Sequence, residues 1–106
     1  MVKKVVKMQI LYNSKKIEKI CSDASKAEKE YGFAMTIKLF QRLDQIQAVT
    51  TIDELIQYKI GRCHLLVGKR KGQYAMDLEQ PYRLVFTVDK TNNVHIANII
   101  EIVDYH

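Results

Sequence analysis

Residues 62–88 read RCHLLVGKRKGQYAMDLEQPYRLVFTV, and a period of two in this stretch decides the fold. Cys63, Leu65 and Val67 alternate with Arg62, His64 and Leu66; Tyr74, Met76 and Leu78 alternate with Gln73, Ala75 and Asp77; Tyr82, Leu84, Phe86 and Val88 alternate with Arg83, Val85 and Thr87. Successive side chains of a strand point to opposite faces, so three consecutive strands follow. Gly68-Lys69-Arg70-Lys71-Gly72 supplies the hairpin connection between the first two, and the polar run Asp89 to Asn93 leads into a last strand from about Val94 to Val103.

Working outward from that meander, the upstream half changes period. Met8, Ile10 and Tyr12 alternate with Lys7, Gln9 and Leu11 and predict a first strand. Asn13-Ser14 then offers an N-cap, Ile17, Ile20, Cys21, Ala24 and Ala27 recur at helical spacing, and Gly32 supplies a stop. A second helix is predicted from Phe33 to about Ala48, with Phe33, Ile37, Phe40, Leu43 and Ile46 as its apolar stripe. Thr51-Ile52-Asp53-Glu54 has the form of a capping box and would start a short third helix. The expected fold is α+β: an N-terminal strand and two to three helices packed on one face of an antiparallel sheet, with the other face open.

The 106 residues have room for one core, so residues 1–106 are read as a single domain. With 47% hydrophobic and 27% charged residues and one proline, the chain is not a disordered tail. Its apolar runs fall far short of the roughly 20 residues that cross a bilayer, and Met1 to Leu11 does not read as a signal peptide. A cytoplasmic protein without a membrane partner is the expectation. Cys21 and Cys63 stand too far apart for a CxxC motif or a zinc site and read as small buried hydrophobes, so no metal and no cofactor is expected.

The net charge of +5 is unevenly spread. Residues 1–20 hold six lysines against Glu18, and residues 55–75 hold Lys59, Arg62, Lys69, Arg70 and Lys71 with no acid. Such segments suit a polyanion through counterion release, although lysine-rich surfaces also serve simply as solvated ones. Parity sharpens the point: if Cys63, Leu65, Val67, Tyr82, Leu84 and Phe86 face the helices, then Arg62, His64 and Arg83 share the open face. On the last strand Asp104 and His106 fall on one side and Tyr105 on the other, and parity does not say which side meets His64. Cleaving RNA without a metal needs a base for the 2′-hydroxyl proton, cations for the phosphorane and an acid for the leaving 5′-oxygen. Histidine suits both transfers, and His64, beside the basic loop, and His106, at the end, are the candidates; His95 has no special company. Composition and spacing reach a basic α+β domain suited to RNA and stop there.

Arg62-Cys63-His64-Leu65, Gly68-x-Arg70-x-Gly72-Gln73-Tyr74-Ala75-Met76-Asp77-Leu78, Pro81-Tyr82-Arg83-Leu84-Val85-Phe86 and the terminal Glu101-Ile102-Val103-Asp104-Tyr105-His106 together resemble the HigB branch of RelE-like toxins, the plasmid-maintenance killer family. Tyr12-Asn13-Ser14-Lys15-Lys16 extends the resemblance to nearly the whole chain from Met8. It implies a RelE-like fold, ribosome-dependent cleavage of messenger RNA, and neutralisation by a HigA-like antitoxin that carries the helix-turn-helix and contacts DNA in this chain's place. Carried over by position, it implies catalytic roles for His64, Arg83, Asp104, Tyr105 and His106, and phosphate binding by Lys69 and Arg70, with Arg62 and Lys71 beside them. Leu65 departs from the proline that often follows the matching histidine, and Met1 to Lys7 is an additional basic segment. A non-catalytic module that binds RNA, the ribosome or a partner through the same face is the alternative.

Overall fold

The computed structural model describes residues 6–105. His106 and residues 1–5, on which two of the expectations fall, lie outside them. In chain order the elements are β1 (Gln9–Tyr12), α1 (Lys15–Ser22), α2 (Ala24–Tyr31), α3 (Phe33–Ala48), α4 (Ile52–Gln57), a 3-10 turn at Ile60–Arg62, β2 (His64–Leu65), a second 3-10 turn at Gly68–Arg70, β3 (Tyr74–Asp77), β4 (Tyr82–Thr91) and β5 (Val94–Asp104). The strands form one sheet in the order β1-β5-β4-β3-β2. The β2 to β5 meander is antiparallel, as the period of two requires, and β1 lies parallel to β5 at the edge, with Gln9 opposite Ile96 and Tyr12 opposite Ile99. The sheet is therefore mixed: the helices carry the chain away after β1, and the meander brings its last strand back beside it.

One side chain divides the predicted first helix in two. Asp23, with extended backbone (φ −133°, ψ 102°), ends α1 and caps α2, its carboxylate accepting from the amides of Ser25 (3.0 Å) and Lys26 (3.4 Å). Ser14 caps α1 in the same manner, accepting from the Ile17 amide at 3.2 Å. The capping box at α4 is only half made: Thr51 makes no side-chain cap, while the Glu54 carboxylate turns back to the amide and hydroxyl of Thr50. The Thr50 hydroxyl, with the Thr50 amide, holds that carboxyl below its ordinary range.

The core lies between the helices and one face of the sheet, where Ile20, Leu39, Leu43, Ile46 and Leu55 meet Met76, Leu84, Phe86 and Ile99. Phe86 is fully buried and stacks on Tyr74 at 5.8 Å; truncating it to alanine costs about 3–5 kcal/mol, of which the ring pair itself contributes about 0.5–1.5 kcal/mol. The stripe predicted for α3 is rotated: Met35, Leu39, Leu43 and Ile46 are buried, whereas Phe33 and Ile37 are 65% and 53% exposed. This helix has apolar residues on two faces, so periodicity alone could not choose between them, and packing on β1 and α2 did. The β4–β5 connection is tighter than its polar composition suggests. Asn92 and Asn93 alone make the turn, both at positive φ (50° and 66°), the backbone that two-residue hairpins favour.

Candidate functional site

The pairing register sorts the side chains by face. His64 lies opposite Ala75, Ala75 opposite Val85 and Val85 opposite Glu101, while Asp77 lies opposite Arg83 and Arg83 opposite Val103. With an alternation of two, His64, Asp77, Arg83, Glu101 and Tyr105 share the face away from the helices. Asp104 lies opposite Tyr82 in register and so belongs to the other parity. The condition from which this was expected holds only in part. Cys63 is buried, but Leu65 and Val67 are 50% and 86% exposed, because β2 has shrunk to two residues and the chain leaves the sheet after Leu65.

His64 is half-buried, and its Nδ1 lies 2.8 Å from the backbone oxygen of Arg62. A carbonyl only accepts, so Nδ1 carries the hydrogen and the lone pair of the neutral ring sits on Nε2. One nitrogen is spent on orientation and the other is left for a proton. Arg62 itself has φ 53°, and Lys59 and Gly61 are left-handed as well, so the segment entering β2 turns sharply. That turn delivers Arg62 to the carboxylate of Asp77, with Nε 2.9 Å from Oδ2.

Asp77 is the hub of this face. Its other oxygen, Oδ1, is 3.5 Å from Nε of Arg83, an ion-pair distance, and is buried without a hydrogen bond. We read the two contacts as complementary: Oδ1 feels the charge of Arg83 but has no aligned donor. The Arg83 guanidinium also lies over the Tyr105 ring, 4.4 Å from its centre, and the Tyr105 amide is tied to the Pro81 oxygen at 3.0 Å. Behind the face, Arg42 of α3 donates from Nε to the Asp77 backbone oxygen at 2.7 Å and from Nη1 to Gln45 at 2.9 Å. Burial lowers the Arg42 pKa from its ordinary value, and the nearby Asp77 charge works against that shift.

The basic hairpin is split. Arg70 folds back over the sheet, donating to Gln73 at 2.9 Å and to Glu101 at 2.5 Å, whereas Lys69 and Lys71 are exposed and make no ion pair among the described residues. The structure thus brings Arg62, His64, Arg70, Arg83 and Tyr105 onto one face and leaves Lys69 and Lys71 at its rim. Asp77, Glu101 and Arg42 are site residues to which the sequence assigns no role of their own: the first two appear there only within strand patterns and motifs. The parity of Met76-Asp77-Leu78 could have found Asp77, and Glu101 is the one acid in the apolar run from Val94 to Val103. Arg42 sits on a helix and gave no signal.

Elsewhere, His95 does have company: it is buried, and its Nδ1 accepts from the Ile52 amide at 3.1 Å, which gives it a structural task at the start of α4. Cys21 and Cys63 are both buried, with thiols pushed up to about 12 by desolvation. Among the described residues no three His, Cys, Asp or Glu side chains gather as a metal site, and no helix is long and apolar enough to cross a membrane.

No family model and no curated protein sequence matches the chain. Solved structures do. The YoeB/ParE toxin from Agrobacterium tumefaciens is 13% identical with a TM-score of 0.55, over 93% of this chain and 100% of that one. The toxin–antitoxin complex YoeB-YefM from Staphylococcus aureus matches at 23% identity and a TM-score of 0.58, over 95% and 99% of the two chains. A heterotetrameric YoeB-YefM complex from the same organism matches at 21% and 0.54, over the same shares. At these identities the likeness speaks for the architecture alone: a five-stranded sheet with helices on one side, the fold these YoeB toxins share with this chain.

Proposed function

We propose that this protein is the toxin of a type II toxin–antitoxin pair, of HigB type, and a metal-independent endoribonuclease that cleaves messenger RNA on the ribosome in the cytoplasm. The observation that carries the reading is His64: its Nδ1–H is fixed by the Arg62 carbonyl, so Nε2 is free for proton transfer on a face that also holds Arg62, Arg83 and Arg70. A module that only binds RNA needs the cations but gains nothing from an oriented proton carrier.

In the proposed reaction one proton carrier takes the 2′-hydroxyl proton, the 2′-oxygen attacks the adjacent phosphorus, and the P–O5′ bond breaks as a second carrier protonates the leaving oxygen. The products are a 2′,3′-cyclic phosphate and a 5′-hydroxyl. We assign one transfer to His64 and the other to His106 of the terminal Asp104-Tyr105-His106 group, with Tyr105, which shares the His64 face, orienting it or the substrate; Asp104 has the other parity, so this assignment requires the strand alternation to end with β5. Arg83 and Arg62 stabilise the phosphorane, and Lys69, Arg70 and Lys71 hold flanking phosphates. His64 is aligned with Glu101 across three strand spacings, roughly 14 Å of backbone, and Tyr105 is the residue just past the end of β5. The Asp77–Arg83 pair lies between these two ends, and the proposed reading puts the scissile phosphate over it.

Two of the neighbours were solved as toxin–antitoxin complexes, which supports a neutralising partner here. We assign that role to a HigA-like helix-turn-helix antitoxin that reads DNA on the pair's behalf. Inducing the chain alone should arrest growth, co-induction with its neighbouring reading frame should relieve the arrest, and message ends mapped on ribosomes should carry 5′-hydroxyls. Arrest with intact messages, or RNA binding unchanged by His64→Gln and never followed by cleavage, would favour the binding module instead.

A further inference from the structure

We propose that Asp77 is the positioning residue of this face: by taking the Nε side of both Arg62 and Arg83, it holds two guanidiniums at fixed places around one phosphodiester. The inference rests on the ribonuclease reading above. Its starting point is which atoms meet. The contact of Arg62 with Asp77 is through Nε at 2.9 Å and that of Arg83 is through Nε at 3.5 Å. A guanidinium presents five donors in a planar fork, so a partner at Nε leaves the end-on Nη pair for another oxyanion. The carboxylate therefore occupies the arginines without consuming the edge that grips phosphate best.

The two arginines come from separate segments, one from the left-handed turn before β2 and one from the middle of the sheet. Arg62 is 72% exposed at its side chain and has little else to hold it, while the Asp77 side chain is 14% exposed. Asp77 is itself fixed from behind by the Arg42 bond to its backbone oxygen. A largely buried, anchored carboxylate between two cations is a poor general base here, because the two positive charges favour its ionised form and oppose taking up a proton. It is suited to setting the distance between the cations. Without it the two positive charges would repel, and Arg62 would swing into solvent. Positioning of this kind acts on the transition state more than on affinity, since a 1 Å error in a catalytic group can cost about 10²-fold in rate.

The test separates binding from chemistry with one RNA in two forms, an uncleavable 2′-O-methyl oligonucleotide and its all-ribose counterpart loaded on ribosomes. Asp77→Asn keeps the shape and removes one negative charge. It should bind the uncleavable RNA about threefold more tightly at low salt, yet cleave at saturating substrate about 10²-fold more slowly. Asp89→Asn, which changes the net charge equally at an exposed site away from the arginines, should shift binding slightly and leave the saturating rate alone. Arg83→Lys should cost less rate in the Asp77→Asn background than in the wild type, because the geometry it disturbs is already lost. Should Asp77→Asn fail to fold, Asp77→Glu keeps the charge, moves it by one methylene, and should lower the rate with no gain in affinity. A saturating rate within about threefold of wild type in a folded Asp77 variant would overturn the proposal. If the wild type cleaves nothing, the ribonuclease reading falls on its own, and the affinity of Asp77→Asn for the uncleavable RNA then decides: no gain over Asp89→Asn removes Asp77 from the arginine cluster.

Discussion

Replacing Gly61 with alanine should be far more damaging than the loss of flexibility alone, because the new methyl group would land on Arg42. Gly61 has φ +58°, and a Cβ built there lies 2.7 Å from Nε of Arg42, 2.9 Å from its Cδ and 3.0 Å from its Cζ. Two costs combine. A left-handed residue other than glycine costs about 1 kcal/mol, and displacing Arg42 breaks the 2.7 Å charged hydrogen bond to the Asp77 oxygen, worth about 1.5–3 kcal/mol when its acceptor stays partly buried. The expected destabilisation is about 2.5 to 4 kcal/mol, or roughly 10–16 °C in melting temperature for a chain of this size. Gly68→Ala is the internal comparison: φ is +73° but nothing lies within 4 Å of the added Cβ, so only the backbone cost of about 1 kcal/mol applies. Urea unfolding of the double-mutant cycle isolates the clash, since Gly61→Ala introduced into Arg42→Ala should also cost only about 1 kcal/mol. Additive costs across that cycle would refute the reasoning, and Gly61→Ala as mild as Gly68→Ala would do so without the cycle.

His64→Gln should lower the single-turnover cleavage rate by about 10² to 10⁴ while leaving affinity for uncleavable RNA unchanged; equal loss in both would make His64 a binding residue. Lys69→Ala and Lys71→Ala should each flatten the logarithmic salt dependence of single-stranded RNA binding by about 0.7, and Arg70→Ala by less, because Glu101 already compensates that charge. The buried thiols, raised from 9.0 to about 12, together with Tyr12 and Tyr31, which burial also raises, contribute stability that is complete below their unfolded values and is lost as pH rises through the folded ones. The urea midpoint should therefore fall from pH 8 to pH 10.5, and native protein at pH 8 should resist alkylation. Removing residues 104–106 should leave the melting temperature within a few degrees, since β5 keeps its core residues Ala97 and Ile99, yet abolish cleavage; full activity in that deletion would take the terminal group out of the mechanism.

Much of the fold was legible because the large apolar side chains of the central strands sit on one face. Tyr74 and Met76, then Tyr82, Leu84 and Phe86, recur with a period of two, and the observed β3 and β4 follow that spacing, although Ala75 and Val85 on the opposite face are fully buried as well. What escaped was in part a local choice between continuing a helix and capping a new one, and in part was decided by contacts distant in sequence. Asp23 reads as an ordinary helix-surface residue until its carboxylate is seen to end one helix and begin another. The α3 stripe failed for a related reason: Phe33, Ile37 and Phe40 form as regular a row as Met35, Leu39 and Leu43, and which row is buried depends on where the sheet lies. The parallel pairing of β1 with β5 has no local signature at all, being fixed by where the meander ends.

The site was legible in its cations and not in its acids, and the reason is physical. Arg62, Arg70 and Arg83 stand out by charge, and parity gathers them with His64. Asp77 and Glu101 fall on the same face by that same parity, but an acid in a basic neighbourhood lowers the net charge and so weakens the very pattern from which a site is read. Across strands it does the opposite. Each carboxylate takes a guanidinium that would otherwise repel its neighbours, and a face with three arginines close together can be built in advance of its ligand only if something negative holds them apart. The acids that make the face look less suited to RNA in sequence are, in the folded chain, what holds its arginines apart and in place, and on the proposed reading they do so before RNA arrives. The same logic ranks the cations under that proposal: Lys69 and Lys71, unpaired among the described residues, would supply attraction at the rim, and the paired arginines geometry at the centre.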